Sequence, residues 1–266
     1  MPTPTNTMSP ENIQQLAAIV DDAAMNRTEI DQIAATNPTL TMEVAYQVQA
    51  ASVARRIERG ERLVGMKMGL TSRAKMEQMG VHEPIYGRLT SSMILNNGAT
   101  IQHGDLIHPR IEPEVAFLLK HDLSGPVTPA EALLAVEGVC AALEIIDSRY
   151  RDFKFTLPDV VADNTSAVLF ALGDLVKPPD AVNLGNLGIV MEINGVAVEI
   201  GCSAAILEHP ARSLAELANM LARRGESLKA GQIVLAGGAT AAVAIKPGDH
   251  IRAVVDELGV AEVRVR

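Results

Sequence analysis

The sequence predicts an α+β fold with a small helical N-terminal region, residues 1–62, and a β-rich body, residues 63–266. Two observations support this prediction. Apolar residues recur at helical spacing from about residue 9 to residue 60, whereas after that point short apolar runs are bounded by Gly, Pro, Asn and Asp. The few later helical segments do not alternate regularly with strands, which argues against a doubly wound parallel sheet.

Local start and stop signals predict the helices. Ser9 and Pro10 provide a cap and a first-turn proline, and a longer helix over residues 42–59 stops at Gly60. Two later segments have the spacing of a capping box and each predicts a helix start: residues 128–131, and residues 213–216 with the helix ending near Gly225.

The strands are predicted from short apolar runs and turn signals. Asn194-Gly195 lies between two such runs, residues 189–193 and 196–200, and is a strong hairpin signal. The closing segment, residues 232–266, is interpreted as three strands, with breaks at 237–238, 247–249 and 258–259.

Composition and charge argue against several classes of function. The net charge of −9 disfavours a nucleic-acid partner, and no apolar run is long enough to span a membrane. The only two cysteines, Cys140 and Cys202, cannot form a disulfide framework or a cysteine metal motif. With no signal pattern at the N-terminus, these features predict a cytoplasmic protein.

Three glutamates in apolar runs are the strongest candidates for a functional site. Glu112 and Glu114 project to the same side of a strand, although Pro113 between them suggests an edge strand or a bulge. Glu144 interrupts an apolar run, 139–146, in which an unpaired charge is costly. A salt bridge to Lys67 or Arg149 would answer this cost, but a metal site is favoured, and oxygen ligands favour Mg²⁺ or Mn²⁺.

Two further features of the sequence each allow two interpretations. Lys67 interrupts the apolar run 63–70, where it occupies either the solvent face of a strand or a desolvated position as a catalytic amine. Gly237 and Gly238 form either a tight turn or a backbone approach to an anionic ligand, and they match no nucleotide-binding motif.

The chain resembles the fumarylacetoacetate hydrolase superfamily over almost its whole length. Within that superfamily it is most similar to the branch of hydratases and decarboxylases that act in meta-cleavage degradation of aromatic compounds. Six segments carry the resemblance: GMKMGLTS at 65–72, GVHEPIYG at 80–87, IEPE at 111–114, LEIIDSRY at 143–150, VADN at 161–164 and PGD at 247–249.

The resemblance implies a fold, a metal and a set of site residues. The fold is a mixed β-sheet roll, and a divalent metal, Mg²⁺ or Mn²⁺, is held by three glutamates beside a catalytic lysine. Thr71, Ser72, Ile85 and Arg149 are further candidates for contact with the substrate. The implied metal ligands and catalytic residue are Glu112, Glu114, Glu144 and Lys67.

The residue at position 85 favours one reaction of this branch. Hydratases carry an acid there, because adding water to a diene requires a proton-transfer group, and Ile85 cannot serve as one. We therefore expect metal-dependent decarboxylation of 2-oxohex-3-enedioate to 2-hydroxypenta-2,4-dienoate and CO₂.

Three alternatives remain: a hydratase or acylpyruvate hydrolase that uses the same metal site, a metal-free Schiff-base lyase built on Lys67, and a non-catalytic partner subunit. The expected partners are a small 2-oxo dicarboxylic acid, further copies of the chain and a 2-hydroxypentadienoate hydratase, with no nucleic acid and no membrane.

Overall fold

The computed structural model describes residues 8–72, 76 and 83–266. The first three residues of the segment at 80–87 lie outside this range, and the rest of that segment lies within it.

Five α-helices are present among the described residues. Their bounds are α1 Pro10–Asn26, α2 Met42–Glu58, α3 Pro129–Leu134, α4 Leu157–Ala162 and α5 Pro210–Ala222. Ser9 caps α1 by accepting the N–H of Asn12 at 3.2 Å, and Thr128 caps α3 in a capping box with Glu131. The predictions for the starts of these two helices, and for the second helix, are confirmed.

The predicted start of α5 at Ser213 is wrong. The helix begins three residues earlier, because Pro210 occupies its first turn and the Nδ1 of His209 accepts the N–H of Ala211 at 3.1 Å. Ser213 lies inside the helix and is fully buried, and its hydroxyl donates to the carbonyl oxygen of Ala236 at 2.6 Å.

Within residues 8–72 and 83–266, thirteen strands form two mixed sheets. In chain order they are β1 Leu63–Gly69, β2 Ile85–Thr90, β3 Ile94–Leu95, β4 Thr100–Ile101, β5 Arg110–Leu119, β6 Val136–Ile146, β7 Ala167–Leu172, β8 Gly188–Ile193, β9 Val196–Cys202, β10 Ile233–Leu235, β11 Val243–Ala244, β12 His250–Val255 and β13 Gly259–Val265. The eight-stranded sheet has the order β2-β1-β10-β5-β6-β7-β3, with β11 also paired to β5. The five-stranded sheet has the order β4-β13-β12-β8-β9.

The hairpin prediction is confirmed. Strands β8 and β9 are joined by Asn194 and Gly195, both in the left-handed region with φ of 54° and 80°, as a two-residue hairpin turn requires. The closing segment contains one strand more than predicted, because the short strand β11 forms between Gly238 and Pro247.

One large hydrophobic core joins the two sheets and the N-terminal helices. It includes Leu16 and Val48 from the helices together with Val115 and Leu143 from the eight-stranded sheet and Val263 from the other sheet. The division of the chain at residue 62 into two separate units therefore stays a prediction. No helix among the described residues combines the length and the apolar character needed to cross a membrane.

Candidate active site

The pairing of β5 with β6 brings the three glutamates together. Glu112 lies directly opposite Glu144 in the antiparallel register, and Glu114 is two residues further along β5, on the same face. All three are buried, and one carboxylate oxygen from each can be chosen so that the three atoms lie within 4.8 Å of one another. The strand geometry inferred from the sequence thus places three carboxylates at one point.

Pro113 lies in a central strand, not at an edge or a bulge as the sequence suggested. Its carbonyl oxygen accepts the N–H of Ala239 at 3.2 Å, so its imide nitrogen faces the same side of β5. On that side the neighbouring strand is interrupted between Leu235 and Val243, and the missing N–H of proline costs no ladder hydrogen bond there.

Lys67 completes the cluster and is almost fully buried. Its Nζ lies 2.8 Å from the Oε2 of Glu144 and donates to the carbonyl oxygen of Thr165 at 3.2 Å. The solvent-face interpretation of this lysine is therefore wrong, and the salt bridge considered for Glu144 exists beside the carboxylate cluster. Lys67 thus lies in a cluster that brings three carboxylates close together.

The pKa values of the cluster reflect burial and the close approach of its charges. Burial raises the pKa of Glu144 to about 7, although Lys67 acts in the opposite direction. Burial, followed by repulsion from Glu144 and Glu112, raises the pKa of Glu114 well above its ordinary value. Burial alone would lower the pKa of Lys67, but attraction to the three carboxylates outweighs it, so this pKa is raised.

The cluster fits a hard divalent cation. Glu114 Oε1 and Glu144 Oε1 are buried and have no hydrogen-bond partner among the described residues, a costly state for a carboxylate oxygen. A divalent cation would bind these oxygens and offset the repulsion among the carboxylates. All three ligands are oxygens, the donor type that Mg²⁺, Mn²⁺ and Ca²⁺ prefer.

The glycine pair after β10 supports the carboxylates. Gly237, with φ of +107°, donates its N–H to the Oε2 of Glu114 at 2.6 Å. A Cβ at Gly238 would lie 2.1 Å from the Oε2 of Glu112, so only glycine leaves room for that side chain. The backbone approaches an anionic group here, as one interpretation of the sequence proposed, but the anion belongs to the protein.

A cavity of about 590 Å³ opens beside the cluster. Lys67 and Glu112 contribute to its wall, together with the apolar side chain of Ile85. The other lining residues are Gln32, Gly69, Leu70, Arg110, Ile146, Phe153, Lys154, Phe155, Val160, Thr165, Ser166, Ala241 and Ala242. The cavity thus has a carboxylate and an ammonium group in its wall, a largely apolar lining, and further basic residues.

The other predicted substrate contacts lie around this cavity rather than in its lining. Thr71 is buried against Gly237, where a Cβ would meet its Oγ1 at 2.2 Å. Ser72 accepts the N–H of Met76 at 2.9 Å through its carbonyl oxygen. Direct substrate contact by either side chain stays a prediction.

Arg149 takes a different place from the one the sequence suggested. Its guanidinium group is buried, pairs with Asp163 through Nε and donates through Nη1 to the carbonyl oxygen of Asp147 at 2.6 Å. It neither pairs with Glu144 nor lines the cavity, because its donors are directed to these two aspartates. We therefore assign it a positioning role.

Sequence reasoning missed several residues of the cavity wall. Thr165 and Ser166 directly follow the segment at 161–164 that carried the family resemblance, so their position next to that motif could have identified them as site residues. Arg110 was also detectable, because it precedes Glu112 by two residues and must share its face of β5. Phe153 gave no such signal, since its position depends on an irregular turn with φ of +59°.

Comparison with known proteins identifies the family and agrees with the fold. The family model of the fumarylacetoacetate (FAA) hydrolase C-terminal domain matches residues 42–266. A 4-oxalocrotonate decarboxylase of Pseudomonas sp. is 51% identical over 93% of this chain and 95% of its own length. A 2-hydroxypent-2,4-dienoate hydratase of Pseudomonas putida is 39% identical over 80% of this chain and 97% of its own length.

A solved structure extends the comparison to three dimensions. The 4-oxalocrotonate decarboxylase from Pseudomonas putida G7, complexed with magnesium and adipate, is 42% identical and superposes with a TM-score of 0.96. The match covers 98% of this chain and 99% of that chain. It confirms the mixed α+β fold with a helical N-terminal region that the sequence predicted.

Proposed function

Because the chain belongs to the fumarylacetoacetate hydrolase family, we propose that it decarboxylates 2-oxohex-3-enedioate to 2-hydroxypenta-2,4-dienoate and CO₂. Glu112, Glu114 and Glu144 would hold a divalent cation, Mg²⁺ or Mn²⁺. The observation that carries the proposal is the convergence of this carboxylate cluster with Lys67 and Ile85 at one cavity. The 51% identity to a 4-oxalocrotonate decarboxylase supports the choice of reaction.

Lys67 is suited to stabilise the charge that develops during the reaction. A bound divalent cation supplies Lewis-acid polarisation of the oxygens of a 2-oxo acid. Cleavage of the C5–C6 bond releases CO₂ and moves the electron pair through the conjugated chain to the C2 oxygen, which takes up a proton in the product. Lys67 stays protonated in its carboxylate surroundings, so its ammonium group can donate a hydrogen bond to that oxygen as charge develops.

Ile85 favours decarboxylation over hydration. Its side chain is buried and lines the cavity, and it offers no group that can move a proton to or from the distal carbons of a diene. Hydration is the second candidate reaction, because a hydratase is 39% identical to this chain. The lack of a proton-transfer group at Ile85 argues against it.

The test measures two reactions on the same protein. Purified protein is incubated with 2-oxohex-3-enedioate in Mg²⁺ or in EDTA and CO₂ release is followed; hydration of 2-hydroxypenta-2,4-dienoate is measured in parallel. We expect CO₂ release that requires the metal. Hydration without CO₂ release would establish the second candidate instead, and chelator-resistant activity with borohydride trapping would indicate a Schiff base on Lys67.

The larger assembly is also a proposal. The product dienol is unstable in water, so a decarboxylase gains from contact with the hydratase that consumes it. The kinship of this chain to a hydratase supports two similar subunits in one complex, alongside further copies of this chain, in the cytoplasm. Co-purification of a tagged copy with an untagged hydratase tests the contact, and recovery of the tagged chain alone would contradict it.

A further inference from the structure

Arg110 forms no ion pair with any residue that the structure describes, and it lies at the cavity. It is the first residue of β5, its side chain is exposed, and it lines the cavity. No carboxylate lies within ion-pair distance of its guanidinium group among the residues that the structure describes. In an acidic protein with a net charge of −9, an unpaired arginine beside a carboxylate cluster has an open position for an anion.

The side chain of Arg110 is held in place by an aromatic ring. Its Cζ lies 4.4 Å from the ring centroid of Phe153, the distance of a cation–π contact. The backbone that presents this ring is unusual, because Asp152 and Phe153 both lie in the left-handed region, with φ of 56° and 59°. Such conformations cost energy for residues with side chains, and they persist where the surroundings impose them.

Arg110 lies on the same face of β5 as two of the clustered carboxylates. Arg110 and Glu112 are two residues apart on one face of β5, which separates their backbones by roughly 6.6 Å. Both residues line the same cavity, so one ligand can contact both. A diacid with its 2-oxo end at the glutamates could therefore place its other carboxylate at Arg110.

We propose that Arg110, stacked on Phe153, is the residue that selects dicarboxylates over monocarboxylates at this site. This inference rests on the proposed function, since it assigns the far carboxylate of the same substrate class. The contact exists only while the far carboxylate is charged and is lost when that group leaves as CO₂. It therefore stabilises the bound substrate and not the transition state, so it contributes to capture and not to the chemical step.

The test compares two ligands of equal chain length. Adipate, a dicarboxylate, and hexanoate, a monocarboxylate, are titrated by calorimetry into the Mg²⁺-loaded protein. We expect Arg110→Met to weaken adipate binding about 10-fold, because it removes one partly exposed charge-assisted hydrogen bond. Hexanoate binding should stay unchanged. Arg110→Lys should keep part of the preference, because it retains the charge but not the planar stacking group.

A matched control and a kinetic readout complete the experiment. Arg264→Met removes another exposed arginine, on β13 of the five-stranded sheet, and should leave adipate binding unchanged. In turnover, Arg110→Met should raise KM about 10-fold and raise kcat as well, so that kcat/KM changes little, because only the bound substrate loses a contact. Adipate binding equal to wild type in Arg110→Met, or a fall in kcat at constant KM, would overturn the inference.

The outcomes also separate this inference from the proposed function. If wild-type protein releases no CO₂ but still prefers adipate to hexanoate through Arg110, the reaction is wrong and the selectivity assignment stands. If CO₂ release is normal and Arg110→Met keeps the wild-type preference, the reaction stands and the selectivity assignment fails.

Discussion

Two clusters of buried ions differ in how completely their charges and hydrogen bonds are satisfied. In one, Arg149 pairs with Asp163 and directs its remaining donors to backbone carbonyl oxygens. In the other, Lys67 meets three glutamates, and two carboxylate oxygens lack partners among the described residues.

The first cluster has one charge of each sign and connects the end of β6 to the segment after α4. It can therefore serve as a support. The second keeps unpaired ligand atoms at a cavity, which is costly for folding and useful only if a ligand completes it. The comparison indicates that the incomplete cluster is the functional one.

The largest effect is expected on stability when the complete cluster is broken. Arg149→Met leaves Asp163 buried without its counter-charge, so we expect the free energy of unfolding to fall by about 3–5 kcal/mol. Urea denaturation measures this change. The double variant Arg149→Met/Asp163→Leu removes both charges and should recover much of the loss, and a single variant as stable as wild type would contradict a supporting role.

Breaking the incomplete cluster should affect metal binding instead. Glu144→Gln removes one ligand charge, so Mg²⁺ affinity should fall on the order of 100-fold or more, since even changes in the outer shell of a metal site cost 10–100-fold. Calorimetric titration measures it. Stability without metal should change little, because the substitution also relieves repulsion among the carboxylates. Asp163→Asn is the matched control, and we expect it to lose stability and keep the metal.

The functional cluster was easier to predict from the sequence than the supporting one. Glu112 and Glu114 share a face by strand parity, and Glu144 stands out in its apolar run, so local pattern was sufficient. The pairing of Arg149 with Asp163 depends on how α4 folds back over residues 147–150, which no local pattern encodes.

Other features depended on tertiary structure in the same way. The burial of Lys67 could not be predicted, because alternation in a strand does not tell which face another layer covers. The helix start at Ser213 failed for a related reason: a capping-box spacing is a local signal, and Pro210 and His209 define the start earlier in the chain.

A smaller effect is expected from the glycine that makes room for a ligand. Gly238→Ala places a Cβ 2.1 Å from the present position of Glu112 Oε2, so the carboxylate must move, and we expect Mg²⁺ affinity to fall about 10-fold. Gly104→Ala is the control, since a Cβ there meets no atom within 4 Å. Equal metal affinity of both variants and wild type would show that Glu112 is not held in place by this close approach.

The smallest effect concerns the pH dependence of stability in EDTA. Burial raises the pKa of Glu144 from 4.5 to about 7, so within that range the folded protein binds more protons than the unfolded chain. The free energy of unfolding should therefore fall as pH rises, by at most about 1.4 kcal/mol per pH unit for one group. The interval from pH 6 to pH 7 is informative, because it approaches the pKa of Glu144. Burial also raises the pKa of Asp163, to about 6, and its contribution is the same in wild type and in a Glu144 variant.

Urea denaturation at pH 6 and at pH 7 measures this decline in the free energy of unfolding. The pKa of Glu114 is raised as well, which would make the decline steeper. Glu144→Gln should reduce the slope, and saturating Mg²⁺ should remove it, because a bound cation favours the ionised carboxylates that burial disfavours. The pair of Arg149 and Asp163 remains intact in both conditions. A slope that is the same in wild type and Glu144→Gln would therefore show that Glu144 is not the titrating group.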